Sequence, residues 1–356
     1  MSSPPSHRLA ALDGARGLAL LLMTINHFFI LVLPHSGLIA FSGDALGFVS
    51  MAEVFFFLGG FSTFVAYSSL KAQPTTPASR RTMLWNRIRI LCLAEAWMIL
   101  GYAVMTGTSP FNLAALHPNK TASKCLLAVG LDILPVHILI LSVVALFFHK
   151  LRNLEVRRLL FISVSVWACG WSIGSVVRLD PSLRTPELLF FNPFAAQLLY
   201  ALGYSAAFWI LSQERRDIRE QLKSFWVTGA VVLIPTVFFA LRHSGLLDLS
   251  SILALTSRQD FGPLRILNFL AILALLARIS STVNLERILI PFTFMGRRCL
   301  SLFAATTVAM YALQQVTLHR EKELHASPIL TIMFATLTIG LLAHFIFNRP
   351  HSVRSS

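Results

Sequence analysis

The chain has 356 residues, of which 55% are hydrophobic and 13% are charged, and its mean hydropathy is +0.69. This composition excludes an ordinary soluble domain, in which about one residue in four is charged. The formal net charge of +14 is compatible with nucleic-acid binding, but the basic residues lie in short segments between long apolar stretches. That placement indicates an integral membrane protein whose partner is the lipid bilayer, and no nucleic acid.

Apolar stretches recur along almost the whole chain. A helix needs about 20 apolar residues to cross a hydrocarbon layer of roughly 30 Å. We predict an all-α, polytopic bundle of about ten transmembrane helices forming a single domain, residues 1–356, because the loops are too short for a second domain. The predicted spans are residues 12–34, 46–70, 84–106, 127–148, 157–177, 192–212, 224–241, 262–280, 294–316 and 327–347.

The distribution of lysine and arginine predicts the orientation of these spans. If the N-terminus is cytoplasmic, 20 of the 30 basic residues fall at inner loops and helix ends, and nine fall on the outer side. The remaining one, Arg16, is embedded in the first span. With an even number of spans, both termini are expected in the cytoplasm.

The first span carries two ionisable residues, Arg16 and His27, eleven positions apart. Eleven residues complete about three helical turns, so the two side chains share a face and lie about 16 Å apart along the axis. Ionisable groups at such depth are costly, and they usually face a functional site inside the protein. The alternative is that Arg16 only pairs with Asp13 and His27 only bonds to a neighbouring helix.

Polar residues from several other spans are predicted at the depth of His27, which indicates a polar cavity that opens outward. The predicted spans 127–148, 192–212 and 262–280 begin at this face, and their positive dipole ends suit an anion or a developing oxyanion. Asn192 precedes Pro193 and also has a sufficient structural role as an N-cap. We assign the acceptor and oxyanion side to Asn26, His137, Asn192, Gln197, Arg265 and Asn268.

His27 is predicted to act as a general base. A carboxylate that accepts the proton on one imidazole nitrogen leaves the other nitrogen basic and oriented, which is chemistry that activates a hydroxyl group. Glu53 lies at matching depth on the next span, and Asp132 is the competing carboxylate. The predicted catalytic residues are therefore His27 with Glu53 or Asp132.

Arg16 lies too far toward the cytoplasm to join that chemistry directly. With Arg87, Arg89 or Arg298, it is better placed to hold the phosphates of a cytoplasmic ligand whose extended arm reaches His27. The pantetheine arm of coenzyme A has a suitable length, which suggests acyl transfer across the membrane. Acyl-CoA is then a co-substrate, and we expect neither a bound cofactor nor a metal, because the four cysteines are scattered and show no ligand spacing.

Six collinear segments resemble the OpgC proteins, within the wider acyltransferase type 3 group, whose signature is an arginine and a histidine separated by ten residues. The segments span nearly the whole chain. They are L-D-G-A-R-G at 12–17 continuing to Asn26 and His27, A-E-V-F-F-F-L-G-G-F at 52–61, D-I-L-P from Asp132, F-N-P-x-A-x-Q-L-L from Phe191, G-P-L-R from Gly262, and M-G-R-R-C-L from Met295.

The resemblance implies a ten-helix acyltransferase of the bacterial inner membrane that moves a succinyl group from succinyl-CoA to hydroxyls of osmoregulated periplasmic glucans. The chain departs from the family pattern at two positions. Asn26 stands where the pattern has aspartate, which raises the weight on Glu53 as the partner of His27. His137 stands where the pattern has an aromatic residue, which changes the expected acceptor pocket.

A secondary transporter or permease for a polar or anionic small molecule is the rival interpretation. Transporters also hold polar residues near the middle of the membrane, but they tend to show paired interrupted helices and repeated halves. Neither feature is visible in the sequence, which favours the acyltransferase.

Overall fold

The computed structural model describes residues 6–32, 47–68, 77–106, 133–179, 190–211, 225–244, 253–280 and 283–319. The described chain is helical, and a π-helical turn and a 3-10 turn extend or join some helices. The helices are α1 (Ser6–Val32), α2 (Met51–Thr63), α3 (Pro77–Thr106), α4 (Ile133–Leu146), α5 (Phe148–Arg152), α6 (Val156–Leu179), α7 (Pro193–Leu211), α8 (Phe225–His243), α9 (Leu253–Thr256), α10 (Pro263–Ile279), α11 (Leu285–Leu289), α12 (Thr293–Arg297) and α13 (Cys299–His319).

The predicted all-α class is confirmed for the described residues, and each of the first nine predicted spans overlaps a helix. The tenth, residues 327–347, lies outside the described residues. Two described helices, Val156–Val177 and Pro193–Leu211, are each long and apolar enough to cross a membrane. A bent pair, Arg287–Arg297 with Cys299–Ala312, adds a third if it forms one span. The ten spans and the cytoplasmic termini therefore stay a prediction.

The predicted span 294–316 is interrupted in the structure by a break between two helices. The chain bends by 72° between α12 and α13, at Arg298. The segment before the bend lies against α1 with little space between the two backbones. A methyl group added at Gly296 would collide with the carbonyl of Asp13, and one at Gly17 with the carbonyl of Phe292. This packing brings Arg297 and Arg298 beside the N-terminal half of α1.

Large apolar side chains cover much of the outer surface of the protein. Phe161 and Ile173 on α6 are 75% and 65% exposed, and Trp97 and Val104 on α3 are 60% and 69% exposed. Water would not tolerate an apolar surface of this extent on a monomeric soluble protein. Together with the two spanning helices, it indicates a membrane protein.

Helices α2 and α7 pack with their backbones in near contact. A methyl group at Gly60 would collide with the carbonyl of Tyr200, and one at Gly203 would collide with the carbonyl of Phe57. Small residues permit this approach, which is a common way for helices to associate in a membrane. As a result, the Tyr200 hydroxyl reaches α2 and hydrogen-bonds with the hydroxyl of Thr63.

The loop before α10 fixes an aromatic centre. Phe261 has a φ of 47°, a left-handed backbone conformation that is uncommon for a bulky residue. Its ring stacks on Phe191, with centroids 5.3 Å apart, and meets the edge of Phe56 at 5.7 Å. The indole Nε1 of Trp167 donates to its carbonyl at 2.9 Å. These contacts offset a backbone cost of about 1 to 3 kcal/mol.

Candidate active site

A cavity of about 560 Å³ lies between α1, α2, α3, α4, α7 and the α12–α13 junction. Its wall is apolar near Met23 and Phe55 and basic at the other end. Four arginines line it, and we call it the arginine cavity. The polar side chains that line it are Asp13, Arg16, Ser62, Thr63, Arg87, His137, Tyr200, Arg297, Arg298, Cys299 and Ser301.

Arg16 joins α1 to α2 at this cavity. Its Nη1 donates to Asp13 Oδ1 at 3.2 Å, and its Nη2 donates to the hydroxyl of Ser62. The other oxygen of Asp13 lies 3.7 Å from Nε of Arg297. The predicted Arg16–Asp13 contact is thus present, yet Arg16 also borders open space. Its side chain is 29% exposed, so the guanidinium group remains accessible to a ligand.

Three of the four arginines predicted for donor binding line the cavity together: Arg16, Arg87 and Arg298. The structure does not place Arg89 there. Arg89 follows Arg87 by two positions on α3, and two positions turn a helical side chain by about 200°. Arg89 therefore lies outside the cavity that the other three share. Arg297, which the sequence analysis did not assign to the site, takes part instead.

Glu53 does not meet His27 in this structure. Its side chain is fully buried, and Oε2 accepts the backbone N–H of Ser50 at 3.0 Å and the Ser50 hydroxyl at 2.6 Å. Oε1 accepts Nε of Arg265 at 2.8 Å and lies 2.6 Å from Nη2. The predicted His27–Glu53 pair is corrected to a Glu53–Arg265 pair, because four contacts occupy the lone pairs of the carboxylate.

His27 itself is half-buried on α1 and is not among the residues that line the arginine cavity. The guanidinium of Arg258 acts electrostatically on its imidazole and lies over the Phe190 ring at 5.8 Å. Asp132, the competing carboxylate, falls outside the described residues. The structure thus adds a cation to the neighbourhood of His27, and the choice of orienting carboxylate stays a prediction.

The amides predicted for the acceptor side hold helices together. Asn192 donates to the carbonyl of Gly170 at 3.0 Å and to Oδ1 of Asp260 at 2.9 Å. Its own Oδ1 accepts the N–H of Phe194, as expected for an N-cap. Gln197 donates to the carbonyl of Ser163 at 2.7 Å. Both amides connect the start of α7 to neighbouring segments. The side-chain N–H groups of Asn192 are both used in this way, so neither is left to donate to an acceptor molecule.

Of the other residues predicted to bind the acyl acceptor, three are buried within the protein and one, His137, lines the arginine cavity. Asn26 and Asn268 are 5% and 0% exposed and make contacts within the protein. Arg265 is held by Glu53. His137 lines the arginine cavity beside Arg16, which corrects its predicted position in the outer layer. Packing explains the difference, because the ring stacks on Phe56 and lies against Gly59 of α2, contacts that a hydropathy pattern does not record.

Sequence reasoning missed Asp260, a carboxylate that is 3% exposed. It accepts hydrogen bonds from Asn192 and from the Ser257 hydroxyl, the latter at 3.1 Å. The signal was present, because Arg258 and Asp260 stand immediately before the G-P-L-R segment at Gly262. The predicted span begins at residue 262, so it leaves both charged residues outside the helix.

Comparison with known proteins supports the reading of these segments as one family pattern. The chain matches the family model described as OpgC protein over residues 8–119 and 127–348. No curated protein and no solved structure matches it. The matched ranges contain the residues of the arginine cavity, His27 and the Glu53–Arg265 pair. The chain belongs to the OpgC protein family.

Proposed function

We propose that this protein is a membrane-bound O-acyltransferase, within the acyltransferase type 3 group. It moves an acyl group, a succinyl group in our proposal, from acyl-CoA to hydroxyls of a periplasmic glucan or related glycan. One observation carries the proposal: Arg16 opens onto a cavity with three further arginines, three helical turns from His27 on the same helix. Membership of the OpgC family supports an acyltransferase role in glucan modification.

The arginine cavity is the proposed donor site. Guanidinium groups bind phosphate oxygens through paired hydrogen bonds, and they keep their charge when partly buried. Arg87 and Arg297 are exposed, while Arg16 and Arg298 lie deeper. A nucleotide with several phosphates therefore enters at the exposed arginines and extends its arm past Arg16 toward Met23. The cytoplasm supplies the donor from this side.

His27 is the proposed catalytic residue. It removes the proton from an acceptor hydroxyl while that oxygen attacks the thioester carbonyl, and the resulting tetrahedral intermediate expels the thiolate of coenzyme A, which takes up the proton. Arg258 provides positive charge near His27, where the oxyanion develops. Asp132 is the proposed orienting carboxylate. Glu53 positions the outer helix ends through Arg265 and does not act on the substrate.

The proposed setting is the bacterial inner membrane, with about ten spans and both termini in the cytoplasm. Donor and acceptor then reach the site from opposite faces. Basic residues on the cytoplasmic side draw the anionic donor, and the glycan remains in the periplasm. Neither a metal nor a bound cofactor has a role in this scheme, since the thioester already activates the acyl group.

The test is transfer across a sealed membrane. Full-length protein is reconstituted in liposomes that contain a soluble glucan, succinyl-CoA is added outside, and the glucan is examined by mass spectrometry. We expect succinylated glucan inside only with active protein. His149→Ala is the matched control for His27→Ala, because His149 is exposed on α5. Glucan that stays unmodified with wild-type protein in either orientation would overturn the proposal, and solute uptake without transfer would favour a transporter.

A further inference from the structure

His137 lines the arginine cavity but has no role in the proposed donor binding or proton transfer. Its ring stacks on Phe56, with centroids 4.8 Å apart and planes 12° apart. Tyr200 meets it edge to face at 6.3 Å. Both neighbours are aromatic, so they fix the plane of the imidazole. Its Nδ1 is buried, and the backbone groups of Ile133 and Phe55 interact with the ring, so Nε2 is the atom considered for a ligand.

The absence of a side chain at Gly59 makes room for this imidazole. A Cβ atom at Gly59 would lie 2.5 Å from His137 Nε2 and 3.3 Å from the Tyr200 ring. Gly59, Tyr200 and His137 all line the cavity. Glycine at this position therefore lets the imidazole pack against the backbone of α2 at the cavity wall, where a methyl group would displace it.

His137 and Arg16 both contact α2, so their separation along that helix can be estimated from the residues they contact. Arg16 contacts Ser62, and His137 faces Gly59, which is three residues away on the same helix. Three residues correspond to a rise of about 4.5 Å. His27, by contrast, lies about 16 Å from Arg16 along α1. A chain extended from Arg16 toward His27 thus passes His137 in the first part of its path, before it reaches Met23.

We propose that His137 binds the arm of the acyl donor, through a hydrogen bond between its imidazole and an amide or hydroxyl group of the pantetheine chain. This inference rests on the proposed function, because it needs an acyl-CoA donor in the arginine cavity. An imidazole offers a donor and an acceptor, and the arm carries amides and a hydroxyl that need such partners away from water. His137 is a binding residue for the donor and takes no part in proton transfer.

The proposed role of His137 can be tested with two ligands that differ only in the pantetheine arm. Coenzyme A carries phosphates and the arm, whereas its phosphorylated adenosine portion carries phosphates alone. Arg16→Ala should weaken the binding of both. His137→Phe keeps the stacking on Phe56 but removes the hydrogen bond. It should therefore lower the affinity for coenzyme A alone, by roughly three- to tenfold, as expected for one hydrogen bond.

The experiment is calorimetry with full-length protein in detergent, using coenzyme A and its phosphorylated adenosine portion as probes. His137→Gln restores a hydrogen-bonding group near the position of Nε2 without the ring, and we expect it to recover most of the affinity for coenzyme A. His137→Leu is measured beside His137→Phe, since both lack polar atoms. His149→Phe, outside the cavity, should bind both probes as the wild type does.

Equal affinity of wild type and His137→Phe for coenzyme A would overturn the inference. So would a loss that is the same for both probes, or a His137→Gln variant as weak as His137→Phe, because either would indicate a packing role. If the wild type binds neither probe, the proposed function fails as well. Binding of both probes that is unchanged in the His137 variants but lost in Arg16→Ala rejects this inference alone.

Discussion

The arginine cavity and the Glu53–Arg265 pair both hold opposite charges inside the helical fold, but they differ in access to water. In the cavity, the side chains of Arg16 and Asp13 are 29% and 19% exposed. Glu53 and Arg265 are 0% and 4% exposed. The guanidinium groups of the first region border open space, where a ligand can reach them. In the second, the carboxylate has four contacts within the protein.

The difference shows that a charge inside a membrane protein is not by itself a catalytic signal. Such charges are rare and usually functional, but one function is to fix the arrangement of helices. The Glu53–Arg265 pair joins the start of α2 to the first turn of α10, two segments 212 positions apart in the chain. Accessible space around a charge is what separates a binding site from a structural pair.

The largest expected effect lies in neither region. His27→Ala should lower acyl transfer by about 10²- to 10⁴-fold, the range of general base catalysis, while the protein still folds. Transfer to a soluble glucan and the thermal unfolding midpoint are measured on the same preparation. A variant that keeps more than about a tenth of the wild-type rate would remove His27 from the chemistry.

The Glu53–Arg265 pair should affect stability more than donor binding. Arg265→Met leaves a buried carboxylate without its cation, and we expect a loss of about 3 to 5 kcal/mol in the free energy of unfolding. Glu53→Gln should cost a similar amount. The double variant Glu53→Gln with Arg265→Met should be more stable than either single one, because it leaves no unpaired charge.

Denaturant titration of the four proteins gives the coupling between the two residues. Additive losses would contradict a mutual pair. If the double variant folds and still binds coenzyme A with wild-type affinity, the pair has a structural role only. A binding loss larger than the stability loss would assign Glu53 or Arg265 to the donor site and remove the contrast between the two regions.

Arg16→Ala should behave in the opposite way. We expect coenzyme A affinity to fall by roughly ten- to a hundredfold, which corresponds to the loss of about 1.5 to 3 kcal/mol for a hydrogen bond to a charged group. Stability should change little, because the partners Asp13 and Ser62 retain access to water at the cavity. Unchanged affinity, measured by calorimetry, would leave Arg16 as a structural partner of Asp13.

Much of this fold could be predicted because apolar length and charge placement are local properties of the sequence. Each of the first nine predicted spans overlaps a helix, and the shared cavity of Arg16, Arg87 and Arg298 followed from their predicted depth. The bend at Arg298 could not be predicted in this way. It depends on contact between the backbones of α1 and α12, which a hydropathy pattern does not record.

Partner choice was harder to predict than depth. Glu53 and His27 were predicted at one level, but a carboxylate at that level can turn toward any of several helices. Arg265 is a stronger partner than an imidazole, because its guanidinium group keeps its charge and donates a charge-assisted hydrogen bond from Nε to Glu53. The capping contact of Ser50 then fixes the second oxygen of the carboxylate. Only the packing of α2 and α10 decides this outcome.

The smallest expected effect compares two arginines on α3. Arg87 lines the cavity and is exposed, so Arg87→Ala should weaken coenzyme A only a fewfold, because water screens an exposed charge. Arg89→Ala should change nothing, since its side chain leaves the helix on another side. Raising the salt concentration should reduce the Arg87 effect further. Equal losses of affinity from both substitutions would indicate that positive charge near the membrane surface attracts the donor. The cavity would then not be the phosphate-binding site.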